Sequence, residues 1–224
     1  MTINRRVFVA GAPLLLAGCV TDGRQASMMP SFRFDPGYVS MYAAASNEPF
    51  PVPAIDLSEV NPDFLRREVA FPTREPPGTI VVYPSARYAF LVLPAGRAIR
   101  YGVGVGKEEG FNFRGTAVIG RKAEWPSWTP TPNMIRREPA RYGKYAGGLQ
   151  GGPDNPLGPR ALYLYQDGRD TFYRLHGTTE PSTIGTMVSS GCVRLMNQDI
   201  IDLYNRVPVG SRVVVMPASA APVA

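Results

Sequence analysis

The chain has 224 residues, enough for one good-sized core with length left over for a terminal extension. It is 44% hydrophobic and 19% charged, with 23 glycines and 23 prolines, which argues against disorder throughout and favours a turn-rich, strand-leaning protein over a helical one. The net charge of +6 comes from 24 basic and 18 acidic residues spread along the chain. Without basic runs or interleaved aromatics this excludes a nucleic-acid partner and leaves a mild attraction to anionic polymers or carboxylates.

Met1 to Cys19 reads as a targeting segment: Arg5 and Arg6 precede the apolar run Val7 to Leu16, which leads into Leu16-Ala17-Gly18-Cys19. The run falls short of the about 20 residues that a membrane-spanning helix needs. Leu-Ala-Gly-Cys resembles the lipobox of bacterial lipoproteins, which implies removal of residues 1–18 and diacylation of Cys19. Each buried methylene of such chains contributes about 0.8 kcal/mol, so the product is expected to be lipid-anchored to a membrane in the periplasm or cell envelope. The arginine pair with Val7-Phe8-Val9 also resembles a twin-arginine export signal, a pattern that ordinary export signals partly share. The competing reading is a buried N-terminal helix with an ordinary buried cysteine.

Residues 19–75 are expected as a tether with extended pieces, because no periodicity is sustained and proline recurs in Glu48-Pro-Phe-Pro-Val-Pro53 and Arg74-Glu-Pro-Pro77. Asn61 followed by Pro62 predicts one short helix within residues 61–67, packed against the domain. From Gly78 short β-rich runs follow closely: 79–83, 88–93, 98–105, 116–122, 162–165, 173–176 and 212–216. Turn residues stand at Pro84-Ser85, Pro94-Ala95-Gly96 and Gln166-Asp167-Gly168, so a mostly β domain, a sandwich or small barrel, is expected over residues 76–217, with 218–224 as a tail. One main helix is predicted after Cys192, with Asn197 as N-cap, apolar Ile200, Ile201, Leu203, Tyr204 and Val207, and a stop at Pro208-Val209-Gly210. Between Ala123 and Pro159 strand signals lapse. Trp125, Trp128 and several Gly/Pro corners there predict a long flap packed over a cleft.

The chemistry concentrates between Tyr173 and Leu195. Two cysteines in an exported protein could form a disulfide, but acylation of Cys19 forbids it and leaves Cys192 as an odd thiol in an oxidising compartment, where it is lost to oxidation unless it has a use. A thiol of reference pKa ~8.5 needs a nearby base to act as a nucleophile. His176, the only histidine, lies sixteen positions before Cys192, a spacing that a strand and a returning loop can close. Gly191 permits a tight turn, and the amides of Ser190, Gly191 and Cys192 could converge as an oxyanion hole for acyl transfer. The plain alternative is that Cys192 is a small buried cysteine. A single histidine argues against a histidine-built metal site, and no cofactor motif is visible. Gly102-x-Gly104-x-Gly106-Lys107 is not a phosphate loop, since Glu108 stands where Ser or Thr would hold magnesium.

His176-Gly177 followed by Ser189-Ser190-Gly191-Cys192-Val193-Arg194 resembles the catalytic signature of the YkuD-type L,D-transpeptidases, a family that remodels bacterial peptidoglycan. The likeness runs from Pro76-Pro-Gly-Thr-Ile-Val-Val82 through Gly102-Val-Gly-Val-Gly106, Arg121-Lys-Ala-Glu-Trp125, Gly151-Gly-Pro-Asp-Asn-Pro-Leu-Gly158 and Ala161-Leu-Tyr163 to Pro208-Val-Gly210. It implies Cys192 as nucleophile, His176 as base and the Gly177 carbonyl as the group that orients the imidazole. It also implies a substrate-binding surface including Ser189, Tyr173, Trp125 and Arg194, the last a carboxylate clamp or a structural ion pair. Cys192 would attack the third residue of a stem peptide, release D-alanine, and pass the acyl group to an amine. A stem diaminopimelate as acceptor gives a 3→3 cross-link, and a lysine anchors a protein to the wall. Water would make the enzyme a carboxypeptidase, and a vestigial site would leave a peptidoglycan-binding module. Many members carry histidine where this chain has Ser190.

Overall fold

The computed structural model describes residues 35–106, 113–189, 191–217 and 219–220. The expected export signal, Cys19 and Ser190 lie outside them. Eleven strands are present among the described residues: β1 (Arg67–Ala70), β2 (Ile80–Tyr83), β3 (Tyr88–Leu93), β4 (Arg97–Gly102), β5 (Val105–Gly106), β6 (Gly115–Glu124), β7 (Arg160–Gln166), β8 (Arg169–His176), β9 (Met187–Ser189), β10 (Val193–Arg194) and β11 (Arg212–Val215). Nine form one mixed sheet in the order β1-β4-β3-β2-β11-β6-β7-β8-β10, and β5 pairs with β9 in a second. Four α-helices lie among the described residues: α1 (Pro36–Met41), α2 (Pro132–Arg137), α3 (Pro139–Tyr142) and α4 (Asn197–Arg206). The protein is therefore mostly β, with one main helix after Cys192 and a long flap, as the sequence predicts. No helix among the described residues is long and apolar enough to cross a membrane.

Strand β2, Ile-Val-Val-Tyr, is apolar without alternation because both of its faces are covered. Ile80 and Val82 join Leu91, Ile119, Leu162, Leu175, Val213 and Val215 on the side that also receives Ile200 and Leu203 of α4. Val81 and Tyr83 pack with Phe71, Phe90 and Val92 on the other. Burial of each such side chain contributes about 1.5–3 kcal/mol. The hairpin turns fall where expected, with left-handed backbone at Arg87, Ala95, Gly96, Asp167 and Gly168.

Several expectations need correction. The run 98–105 is not one strand: β4 ends at Gly102, and Gly104 crosses to exchange backbone hydrogen bonds with Arg194. Val105 and Gly106 then pair with β9. The glycine-rich stretch thus flanks the Cys192 loop on both sides. The expected tether is packed from Asp35 onward: Tyr42, Leu57, Val60 and Leu65 form a buried cluster with Ile184 and Met196, and β1 joins the sheet edge. Its apolar residues are spaced irregularly along the chain, which hides them from any periodicity test. The helix begun by Asn61 is a single 3-10 turn, Pro62–Phe64, capped by the Asn61 side chain. Asn197 is the first residue of α4 and not its cap, since its side chain is committed elsewhere.

Candidate active site

Strand β10 runs parallel to β8 with Val193 opposite Leu175 and Arg194 opposite His176. Because side chains alternate along strands, Leu175 and Val193 enter the core, while His176, Arg194 and, two positions back on each strand, Arg174 and Cys192 share the opposite face. That face and the flap enclose a cleft of about 1040 Å³, lined by Cys192, His176, Arg194, Ser189, Tyr173, Phe172 and, on the flap side, Trp128, Arg141 and Tyr145.

His176 is 5% exposed, and its Nδ1 lies 2.6 Å from the Gly177 carbonyl. A carbonyl only accepts, so Nδ1 carries the proton and Nε2 is the basic nitrogen of the neutral ring. Burial, with Arg194 and Arg174 adding to it, pushes the imidazole down to about 3, against the opposing pull of the Gly177 hydrogen bond. Cys192 is half-buried, its Sγ 3.9 Å from the Phe172 carbonyl. Burial pushes this thiol up, an effect that Arg174 and Arg194 oppose and Asp170 reinforces. The pair stands at rest as thiol and neutral imidazole.

The segment after His176 is fixed from α4. The Asn197 Oδ1 accepts the Thr178 N–H at 2.9 Å. Gly177 is required for this approach, since a Cβ there would run into both Asn197 Oδ1 and Pro159. The Gly177 N–H donates to the Arg160 carbonyl at 3.3 Å, so the carbonyl that orients His176 is held from two elements.

The other expected residues divide. Ser189 is buried, its hydroxyl donating to the Cys192 carbonyl at 2.7 Å and accepting the Gly191 N–H at 3.1 Å. That hydrogen bond occupies the Gly191 amide and removes it from the expected oxyanion set, because the Ser189 hydroxyl sits within the turn. Tyr173 lines the cleft as expected. Arg194 lines it too, but its Nη1 is paired with Glu180 at 3.1 Å. Trp125 is not in the cleft. Its indole donates to Glu48 at 3.0 Å and packs edge-on against Phe50, while Trp128, three residues on, takes the cleft position.

Sequence reasoning missed Phe172, 71% exposed with φ +62°, which presents its carbonyl to the thiol. It also missed the Arg174–Asp170 pair at 2.8 Å beside the thiol. Neither has a sequence signal, since both depend on the bulge where β8 meets β7. Among the described residues no group of three or more His, Cys, Asp or Glu side chains is arranged to hold a metal ion.

Residues 77–215, more than half of the chain, match the family model for the YkuD L,D-transpeptidase catalytic domain. The chain belongs to the YkuD family. It is 39% identical over 154 residues to the probable L,D-transpeptidase ErfK/SrfK of Escherichia coli K12, covering 68% of this chain and 44% of that protein. It is 41% identical over 132 residues to the probable L,D-transpeptidase YbiS of the same organism, covering 58% and 39%. The chain thus spans less than half the length of both relatives. A crystal structure from Brucella melitensis, described as a probable carnitine operon oxidoreductase, is 47% identical, with 72% of this chain and 99% of that chain covered and a TM-score of 0.48. The packed N-terminal segment, residues 35–76, lies outside the matched family span.

Proposed function

We propose that this YkuD protein is a peptidoglycan L,D-transpeptidase in which Cys192 is the nucleophile and His176 the base. The observation that carries the reading is the placement of both on one face of two parallel strands, in one cleft, with the imidazole locked so that Nε2 is its basic nitrogen. Cys192 Sγ bonds to the carbonyl carbon of the third stem residue as its proton passes to Nε2. The C–N bond to D-alanine then breaks, and the leaving amine takes that proton. An amine next attacks the thioester, giving its proton to Nε2, and the thiol is restored as a new amide forms.

Gly177 acts as the orienting residue, while Ser189 shapes the turn that presents Cys192. Tyr173 and Arg194 belong to the cleft wall. The backbone N–H groups of Ser190 and Cys192 remain the candidates to hold the oxyanion. The sequence of the leader supports export and lipidation at Cys19, which would place the catalytic unit, residues 76–217, in the cell envelope beside its stem peptides. The acceptor is either a stem diaminopimelate or the lysine of a protein. The reaction as derived uses protein groups alone.

The test is mass spectrometry of the purified protein with tetrapeptide stems and with a carbapenem. A thioacyl adduct and amine-dependent product are expected for the unaltered protein, and neither for Cys192→Ala. Product formation that survives Cys192→Ala would refute the assignment.

A further inference from the structure

The flap leaves the sheet at Trp125 and returns at Pro159–Arg160, and its two stems meet there: the Trp125 N–H donates to the Pro159 carbonyl at 2.8 Å. Gly151 lies so close that a Cβ on it would strike the Trp125 carbonyl. Trp125 itself has φ +41°, a left-handed backbone that a bulky residue keeps only when its surroundings impose it. Its side chain is held from outside the family's matched span. Residues 45–52 form a narrow loop closed by the Ala45–Val52 bridge, with Glu48 near its tip. Gln198 of α4 holds both legs of that loop, donating to the carbonyls of Ala43 at 3.1 Å and Pro53 at 2.9 Å.

The Glu48 carboxylate reaches both stems of the flap at once. Its Oε2 accepts the Trp125 indole N–H at 3.0 Å on the outgoing stem and Arg160 Nη1 at 2.8 Å on the returning one. Its Oε1 accepts Arg160 Nη2 at 2.6 Å. The Glu48 and Arg160 side chains are each 7% exposed, so this fork-on-fork pair is shielded from water. Phe50, from the same loop, covers the indole with ring centroids 5.0 Å apart.

We propose that Glu48 is a positioning residue that clasps the neck of the flap and holds the flap wall of the cleft over Cys192. The N-terminal segment is then part of the working enzyme and more than a spacer. The same Arg160 whose side chain Glu48 grips gives its carbonyl to Gly177, so the clasp sits one residue from the group that orients His176. The proposal rests on the proposed activity only for its kinetic readout.

Three variants of the full chain separate the possibilities. Trp125→Phe removes the indole donor and leaves the Glu48–Arg160 pair intact, so it is the variant least exposed to misfolding. Glu48→Ala opens both links, and Glu48→Gln retains an acceptor for the indole. Hydrogen exchange is followed for amides of residues 126–157 against those of β6, β7 and β8. Flap amides are expected to exchange about tenfold faster in Trp125→Phe and Glu48→Ala, with sheet amides unchanged and Glu48→Gln in between. Donor KM should rise about tenfold while the acylation kcat stays within about twofold. Flap exchange unchanged in both variants would overturn the clasp. So would flap and sheet accelerating together, which would make Glu48 a residue of general stability. If the unaltered protein accepts no acyl group from any stem peptide, the proposed activity fails, and the exchange data alone decide the clasp.

Discussion

Placing a proton on His176 in the folded protein is costly, and the cost can be worked out. The ring is held at about 3 against an ordinary 6.5, and at about 1.36 kcal/mol per pH unit this is about 5 kcal/mol against the imidazolium. Burial also pushes the Cys192 thiol up, so both shifts disfavour the charged pair. At rest the pair is therefore thiol and neutral imidazole. Alkylation of Cys192 by iodoacetamide, followed by mass from about pH 5 to pH 10, should be slow at neutral pH and climb only above the ordinary cysteine range. His176→Asn should leave that curve unchanged, because a ring that carries no extra proton at rest does nothing for the resting thiol. With stem tetrapeptide the same variant should lose acylation by about a hundredfold or more, since proton transfer is then concerted with attack. A plateau of alkylation between about pH 5 and pH 8 that disappears in His176→Asn would refute the reasoning. It would mean that the ion pair is preformed and that burial does not govern the ring.

Two further outcomes follow from charged groups, one buried under α4 and the other on the cleft wall. Asp199 is fully buried in the first turn of α4, takes a hydrogen bond from Tyr42 at 3.1 Å, and is pushed up to about 7 by burial. The unfolded chain loses this proton first, so stability present below about pH 4 should be lost as pH rises through 7, about 4 kcal/mol in all. Urea unfolding should show Asp199→Asn gaining on the unaltered protein by that amount across the window, while the opposite slope from His176 cancels in the difference; parallel profiles would remove Asp199 as the cause. The flap carries Arg136, Arg137, Arg141 and Lys144 into the cleft wall, where Asp154 of the same segment also lies. Reversing Arg141 and Lys144 to Glu should raise the KM for anionic stem peptides about threefold to tenfold at low salt, with the gap closing at high salt, and a salt-independent change would point to packing instead.

The central hairpins were legible because each strand is short, apolar or alternating, and closed by its own turn residues, as in Tyr88–Leu93 between Arg87 and Ala95. Cys192 and His176 were legible as candidate nucleophile and base because the chain has one histidine and a cysteine in a glycine turn, a pattern local in sequence. Strands β9 and β10 were not, since Met187–Ser189 is extended against Val105–Gly106 and Val193–Arg194 against β8 and Gly104, all distant in sequence. Trp125 and Trp128 could not be told apart, as both are aromatic residues in a proline-rich corner and only the returning stem decides which faces the cleft.

By itself, then, the amino-acid sequence determined the fold class and the family and singled out Cys192 and His176 as candidates, because these depend on local periodicity and on short contiguous motifs. Tertiary structure alone decided that β11 enters the middle of the sheet beside β2, that Asn197 braces Thr178 instead of capping its helix, and that Glu48 spans the flap neck. Each of these joins residues between 19 and about 130 positions apart through one or two polar contacts or a backbone ladder. Such pairings leave no periodic trace in the chain, and their free energy exists only once the rest of the molecule has brought the partners together and shielded them from water.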